Sequence, residues 1–250
     1  MEHGDHAPVA TFFSSEPLIA GRVVTLDEDE AHHARVRRVP IGAVIRVIDG
    51  AGAVAVGTLA RLAKAHATVQ VDAVVMEEAA PEIHLLVPIA DRDRMLWLAE
   101  KTAELSAASW RPVLWHRSRS VSPRGEGLAF QARVRARMTG ALKQCGGSWL
   151  PAMHPDAPLE RAIAAAPAGA RWLLDAAGAP AHDVTVSAPL TLVLGPEGGP
   201  EVAERAALVA AGFAPVSISA HTLRFETAGI AALAMAHAAL STSPEGMREL

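Results

Sequence analysis

Two short loops near the C-terminus carry the residue types that could do chemistry. The first, "GPEGGPE" at residues 195–201, holds three glycines and two carboxylates directly after the apolar run at residues 191–194. The second, "LRFET" at residues 223–227, places Arg224 and Glu226 at the entrance of a helix of small, uncharged residues expected from Ala228 to Leu240. Glycine permits close backbone approach, and charges beside a buried helix are costly unless they are paired or used. These two loops are the first candidates for a ligand site.

The glycine loop does not match the common phosphate-binding motifs. No Lys-Ser or Lys-Thr pair follows its glycines, and its spacing differs from the G-x-G-x-x-G of dinucleotide-binding folds. We expect Gly195, Gly198 and Gly199 to allow positive φ and close backbone approach, and Pro200 to open the next helix with Glu201 in its first turn. Such a loop can offer main-chain donors and acceptors to a flat heterocycle. Considered alone, it could also be a tight strand-to-helix turn without a ligand.

The elements that position these loops follow an alternating pattern. After residue 82, strand-like runs such as "EIHLLVPIA" alternate with helical patterns such as "RMLWLAEKTAEL", and two strand–loop–helix units begin at Leu190 and Pro215. This alternation predicts an α/β domain with a mainly parallel sheet over residues 83–245. Ligands in such sheets bind outside the carboxyl ends of the strands, where both loops lie.

The first 78 residues predict a different architecture. "GRVVTL", "AVIRVIDGAGAVAVGTL" and "ATVQVDAVV" alternate β-branched and polar residues, and Asp49-Gly50 supplies turn chemistry between two strands. One helical piece, "DEDEAHHARVRR", interrupts them. We predict a small β-barrel over residues 1–78, followed by a linker that includes "MEEAAPE".

Composition excludes several classes of protein. The chain has 250 residues and a single cysteine, so no intrachain disulfide can form. No apolar run approaches the ~20 residues of a membrane span, and the N-terminus lacks a signal-peptide pattern, so we expect a cytoplasmic protein without a membrane partner. His32 and His33 lack a third ligand at metal spacing, so no metal site is predicted. Cys145 could be read as a nucleophile, but a lone cysteine more often serves packing.

The net charge of −4 conceals a basic segment. Eight basic residues and one acidic residue, Glu126, lie between positions 111 and 143, which gives a local charge of +7. Attraction to a phosphate backbone depends on local charge, although a solvated helix face remains the alternative. The eight are Arg111, Arg117, Arg119, Arg124, Arg133, Arg135, Arg137 and Lys143. The residues expected to contact RNA across the barrel and this segment are Arg35, Arg37, Arg38, Arg117, Arg133 and Arg137.

The motifs together resemble those of one family. "LVLGPEGG", followed after a helix by "VSISAHTLRFETAGIAAL", is similar to the two C-terminal motifs of the RsmE family, the ribosomal RNA small subunit methyltransferase E enzymes of the SPOUT superfamily. "HHARVRRVPIGAVIRVIDG", "DRDRMLWLAEKTAEL" and "KQCGGSWLP" resemble further family motifs in the same order. The chain departs from the family at Ser219 and Ala220, where many members have Gly-Pro, at Phe225, where they have Thr, and at Gly147, where Arg is frequent.

The resemblance implies an N-terminal PUA-like RNA-binding barrel and a SPOUT domain whose C-terminal chain forms a deep trefoil knot. It also implies S-adenosylmethionine as the cofactor, a homodimer, and methylation of N3 of a uridine near the 3′ end of 16S rRNA, in the decoding region of the 30S subunit. Carried onto the matching motifs, the catalytic residues are Arg224 and Glu226. The cofactor-binding residues are Val193, Leu194, Gly195, Pro196, Glu197, Gly198, Gly199, Ile218, Ser219, Leu223, Thr227 and Ala228.

Two functional classes remain in view. The first is an S-adenosylmethionine-dependent RNA methyltransferase, and the second is an RNA-binding module whose SPOUT domain has lost catalysis. The first is favoured by the residues that match the family motifs, namely Gly195, Glu197, Gly198, Gly199, Leu223, Arg224 and Glu226.

Overall fold

A computed structural model describes residues 8–120 and 127–241. The chain divides into two compact units. The first comprises the described residues up to Ala79 together with Thr139–Leu150, and the second comprises Ala80–Met138 and the described residues from Pro151 onward. The predicted domain boundaries at residues 78 and 83 stay a prediction.

The first unit contains a five-stranded sheet in the order β1-β3-β4-β5-β2. Its strands pair antiparallel except for β1 and β3, which pair in parallel. Along β5, Val69 and Val71 are buried and alternate with more exposed polar residues, because successive side chains of a strand point to opposite faces. The elements of this unit are β1 (Thr11–Phe13), β2 (Val23–Leu26), α1 (Glu28–Val36), β3 (Val44–Ile48), β4 (Ala53–Leu62) and β5 (Ala67–Met76).

One ion pair and one hydrogen bond hold the segment Thr139–Leu150 within the first unit. Lys143 Nζ lies 2.5 Å from Oε1 of Glu30, a nearly fully buried residue of α1. Arg46 Nη2 donates to the Gly146 carbonyl at 2.9 Å. Burial raises the pKa of the Glu30 carboxyl above its ordinary value, although Lys143 acts in the opposite direction. The lysine is therefore the partner that makes this buried carboxylate tolerable.

The second unit contains a parallel sheet in the order β12-β10-β11-β6-β7-β8, with β9 pairing to β7. The two central strands β6 and β11 are almost entirely apolar, as expected for parallel strands covered on both faces. The strands are β6 (Ile83–Pro88), β7 (Ser109–Leu114), β8 (Ala152–Met153), β9 (Ala157–Pro158), β10 (Ala170–Pro180), β11 (Leu190–Val193) and β12 (Ala214–Ser217).

Helices connect these strands. Helix α2 packs on α6, and Gly229 permits their close approach, since a Cβ there would lie 3.0 Å from Cδ1 of both Leu98 and Leu194. The helices are α2 (Arg92–Glu104), α3 (Leu128–Cys145), α4 (Leu159–Ala164), α5 (Val202–Ala210) and α6 (Phe225–Ser241), with 3₁₀ turns at Arg117–Ser120 and Ala181–Asp183. Within the described residues, no helix is long and apolar enough to cross a membrane.

The predicted fold class is confirmed: a mainly parallel α/β sheet and a separate, N-terminal β-sheet. Three local expectations differ from the structure. Strand β1 was not expected. Helix α6 begins at Phe225, three residues before Ala228, where the uncharged helix was expected to begin. Glu201 is the N-cap of α5, so Pro200 precedes this helix and does not open it. The deep knot stays a prediction.

Candidate functional site

A cavity of about 740 Å³ lies at the carboxyl ends of β10, β11 and β12. Its volume is within the range of small-molecule sites. Three segments form its walls: residues 173–177 of β10, the glycine loop after β11, and the loop that joins β12 to α6. Because the three strands run parallel, their ends meet at one edge of the sheet and bring these distant segments together.

The glycine loop uses its glycines for two different purposes. Only Gly199 has a positive φ, +71°, and its amide donates to the Pro196 carbonyl at 2.8 Å. Gly195 and Gly198 do not have a positive φ, so that part of the expectation was wrong, and what these two positions provide is the close approach that was also expected. A Cβ on Gly195 would lie 3.3 Å from Pro200 Cδ, and a Cβ on Gly198 would lie 3.1 Å from an Arg117 guanidinium nitrogen.

His116 and Arg117, which follow β7, donate hydrogen bonds to the glycine loop and to the first turn of α5. Arg117 donates to the Gly198 carbonyl, and the His116 amide donates to Oε1 of Glu204 at 2.8 Å. The other oxygen of Glu204 accepts from the Glu201 amide at 2.8 Å and so closes the first turn of α5. Arg117 was expected to contact RNA, and the structure places its guanidinium against the main chain of this loop.

The second loop is ordered by Ser219. The Ser217 hydroxyl donates to the Ser219 carbonyl at 3.0 Å, and the Ser219 hydroxyl accepts from the His221 amide at 3.1 Å. The loop ends where the Ala228 amide donates to the Arg224 carbonyl at 2.9 Å in the first turn of α6. Ser219, one of the departures from the family pattern, therefore supplies local turn bonds.

The structure brings most of the expected cofactor-binding residues around the cavity. Its walls include Leu194, Gly195, Pro196, Glu197, Gly199, Ile218, Ser219, Leu223 and Ala228. Three others do not line it. Val193 is fully buried in β11, Gly198 faces Arg117, and Thr227 lies in the first turn of α6.

Two acidic and two basic side chains lie close together, and two of them, Glu197 and Arg224, line the cavity. Arg224 lines the cavity with 62% of its side chain exposed, and its Nη1 lies 3.9 Å from Oε1 of Glu197. Arg94, from the first turn of α2, forms an ion pair with the same Glu197 oxygen. Its Nε lies 3.8 Å from Oε1 of Glu226, whose side chain is only 7% exposed. Of the two expected catalytic residues, Arg224 therefore lies beside Glu197, and Glu226 lies beside Arg94.

Asp175 and Arg205 form an ion pair in the cavity wall that we did not expect from the sequence. Arg205 Nε lies 2.9 Å from Asp175 Oδ2, and the Ala177 amide donates to Oδ1 at 2.9 Å. Burial alone would raise the pKa of Asp175, but these two donors outweigh it and hold the pKa below its ordinary value. The signal was available, since "RWLLD" ends in an aspartate at the carboxyl end of a strand.

The arginines expected to contact RNA differ in what they contact. In the first unit, Arg35 donates to the carbonyls of Ala63 and Lys64 at 2.7 and 2.6 Å, whereas Arg37 and Arg38 are exposed. In the second unit, Arg133 is exposed and Arg137 Nη1 lies 3.4 Å from Glu100 Oε2. Arg124 and the side chain of Arg119 lie outside the described residues.

Over residues 8–120 and 127–241, no group of three His, Cys, Asp or Glu residues is placed to hold a metal ion.

Comparison with known families gives two matches. Residues 77–237 match the RNA methyltransferase domain model, and residues 26–72 match the RNA methyltransferase PUA domain model.

Solved structures resemble the chain over most of its length. A ribosomal RNA small subunit methyltransferase E from Neisseria gonorrhoeae, bound to S-adenosyl methionine, is 26% identical with a TM-score of 0.82 and covers 92% of this chain and 98% of its own. A predicted RNA methyltransferase from Thermotoga maritima is 28% identical with a TM-score of 0.73, over 92% and 97% of the two chains. A methyltransferase from Legionella pneumophila, in complex with the cofactor SAM, has the same fold at 24% identity and a TM-score of 0.82, over 93% and 98%.

Gly199→Ala should destabilise the protein, and Gly199→Asn should do so less. A Cβ at Gly199 meets no atom within 4 Å, so the cost comes from the left-handed backbone, about 1–2 kcal/mol for alanine, and asparagine tolerates that conformation better. Denaturant unfolding measures the difference. Gly140→Ala is the matched control: Gly140 is exposed within α3 and also has open space, so there alanine should stabilise by about 0.5–1 kcal/mol. Equal effects at both positions would contradict the assignment.

Proposed function

Since the chain belongs to the RNA methyltransferase family whose domain model it matches over residues 77–237, we propose that it transfers a methyl group from S-adenosylmethionine to N3 of a uridine near the 3′ end of 16S rRNA, in the decoding region of the small subunit. The observation that carries the proposal is the cavity at the ends of β10, β11 and β12, with Arg224 exposed in its wall. The Neisseria relative, which bears the name of such an enzyme, supports the choice of rRNA.

The cavity fits S-adenosylmethionine in size and in the character of its walls. Main-chain groups and apolar side chains of residues 193–199 and 218–223 would hold the adenine ring, because a flat heterocycle needs close backbone approach and few competing charges. Asp175 would accept hydrogen bonds from ribose hydroxyls, since its lowered pKa keeps it ionised. When bound, the cofactor supplies an electrophilic methyl group on a positively charged sulfur.

Arg224 would promote loss of the N3 proton of uridine. The imide nitrogen must be deprotonated before its lone pair can attack a methyl group, and negative charge then develops on the flanking carbonyl oxygens. A guanidinium stays charged at any working pH and can present two donors to such an oxygen. The proton passes to water or to Glu226, and the burial of Glu226 beside Arg94 supports water as the acceptor.

RNA contacts in both units would supply affinity. The match of residues 26–72 to an RNA methyltransferase PUA domain supports a binding role for the first unit, where Arg37 and Arg38 are exposed. In the second unit, Arg133 lies on the exposed face of α3. Arg35 and Arg117 already donate to backbone carbonyls, so we propose that they shape the backbone of the RNA-binding surface.

We also propose a homodimer. Trp97 on α2 and Met235 on α6 expose 46% and 40% of their surfaces, and the two helices pack on each other. Large apolar side chains on neighbouring helices favour burial against a partner. A second copy of the chain suits this role because the superfamily builds its active site across two subunits.

The alternative function is an RNA-binding module with a degenerate methyltransferase domain. Calorimetry with S-adenosylmethionine separates the two classes, because the module would not bind the cofactor. Methyl transfer to 30S particles, compared with free 16S rRNA and followed by mapping of the modified base, tests the target. Transfer to another base or atom would contradict the N3-uridine assignment.

Arg224→Lys should lower kcat at least ~100-fold with cofactor affinity near wild type, because lysine keeps the charge but loses the oriented pair of donors. Single-turnover transfer to 30S particles and calorimetry measure the two quantities. Arg205→Lys is a useful comparison, since Arg205 lies in the same cavity and should affect cofactor binding more than chemistry. Near-normal turnover in Arg224→Lys would remove Arg224 from the chemistry.

Reversing Arg133 and Arg137 to Glu should weaken RNA binding while sparing cofactor binding. The two residues lie at i, i+4 spacing on α3, and each lost phosphate contact should reduce the slope of log K against log salt by about 0.7–0.9. Filter binding across a salt series measures the change. Arg161→Glu, an exposed site on α4, is the charge-matched control for each single reversal. Unchanged affinity of the double variant at low salt would rule out the contact.

Trp97→Glu and Met235→Glu should each convert a dimer into the 26.1 kDa monomer and lower activity. A charge placed within an apolar interface must be desolvated, which opposes association. Light scattering at micromolar concentration measures the mass. Val209→Glu on α5, where valine is 45% exposed, is the control. A fully active wild-type monomer would contradict the proposal.

A further inference from the structure

Arg94 links the two loops that carry the site, although it does not line the cavity. It lies in the first turn of α2, where its amide donates to Oδ1 of the N-cap residue Asp91 at 3.1 Å. That capping bond fixes the start of the helix and thus the origin of the Arg94 side chain. From there the guanidinium reaches Glu197 in the glycine loop and Glu226 at the start of α6.

Glu197 is shared unequally between two guanidinium groups. Arg94 is within hydrogen-bonding distance of Oε1, whereas Nη1 of Arg224 is 3.9 Å from the same atom, beyond the length of a hydrogen bond. Arg94 is 34% exposed and Arg224 is 62% exposed. The better-buried arginine therefore takes the strong interaction and leaves the exposed one weakly held.

Glu226 depends on the same arginine. Its side chain is 7% exposed and its Oε2 makes no hydrogen bond. Among the described residues, Arg94 is the only cationic side chain within 4 Å of its carboxylate. A buried carboxylate without a cation is strongly destabilising, so Arg94 also ties the position of α6 to that of the glycine loop.

We propose that Arg94 is a positioning residue of the methyl-transfer site: it sequesters the Glu197 carboxylate and thereby keeps the Arg224 guanidinium available to the substrate base. This role rests on the proposed function, because it gives Arg224 its task. Among the residues that the structure describes, Arg224 is the other cation within 4 Å of Glu197 and is the one left when Arg94 is removed. The carboxylate would close the 3.9 Å gap and pair with it, and the guanidinium would then present fewer donors to the base.

The kinetic test compares Arg94→Gln with the double variant Arg94→Gln/Glu197→Gln. The single variant should lose about tenfold in kcat, equivalent to about 1.4 kcal/mol, while KM for S-adenosylmethionine changes less than about twofold. The double variant should recover most of that loss in kcat at saturating S-adenosylmethionine, because neutral glutamine cannot capture Arg224. Since Glu197 lines the cavity, any effect of the second substitution on cofactor binding is read separately in KM. Arg94→Lys, which keeps a cation at the position, should lie between Arg94→Gln and wild type.

Arg92→Gln is the matched control, since it removes the same charge from the same turn. The Arg92 guanidinium lies 5.2 Å from the centroid of the Phe130 ring. Its kcat should stay within about twofold of wild type. An equal loss in Arg92→Gln would mean that the net charge of α2, and not the Glu197 contact, sets the rate.

A second readout needs no enzymatic activity. Phenylglyoxal modifies guanidinium groups, and an ion pair slows the reaction, so peptide mass spectrometry can follow the modification of Arg224 directly. Arg224 should react readily in the wild type, several-fold more slowly in Arg94→Gln, and again readily in the double variant. If Arg94→Gln unfolds, the same comparison is made in the Glu226→Gln background, where the unpaired buried charge is removed.

The outcomes separate the two proposals. Unchanged Arg224 labelling and unchanged kcat in Arg94→Gln would overturn the role of Arg94 while leaving the methyltransferase intact. A double variant no better than Arg94→Gln in both readouts would also overturn it. If the wild type transferred no methyl group to RNA but the labelling pattern appeared, the proposed function would fail and the effect of Arg94 on Arg224 would stand.

Discussion

The parallel pairing of β10 with both β11 and β12 is the constraint on which the site depends. Residues 170–173 of β10 pair with residues 190–193, and residues 172–174 pair with residues 214–216. Chain segments more than 40 residues apart must therefore end at the same edge of the sheet. The strands are mostly apolar, so apart from Asp175 in β10 the charged groups of the cavity come from the segments that follow the strands.

The sequence predicted those elements well because they carry strong local signals. Continuous apolar runs gave β6 and β11, alternation gave β4 and β5, and glycine-rich or charged turns gave the two loops. Strand β1 was missed because three residues carry no period, and its parallel pairing with β3 is a contact across more than 30 residues of chain. Its existence depends on packing that no local window contains.

The site was predicted less completely, for a physical reason. Motif spacing indicates which backbone segments are unusual, and both loops do line the cavity. It does not indicate which side chains reach them from elsewhere. Arg94 lies 103 residues before Glu197, and Arg117 lies 81 residues before Gly198. The same limit applied to the glycines. Spacing identified the loop, but the backbone conformation is needed to show that, of its three glycines, Gly199 has the positive φ.

The grouping of Thr139–Leu150 with the first unit affects how the chain can fold during synthesis. A ribosome must translate 64 residues beyond Ala79 before Lys143 exists to pair with Glu30, a delay on the order of several seconds at typical elongation rates. During that interval the nascent N-terminal sheet carries a buried carboxylate without its cation. The first unit can reach its final stability only after residues 80–138 of the second unit have been translated, so its completion spans the synthesis of part of the second unit.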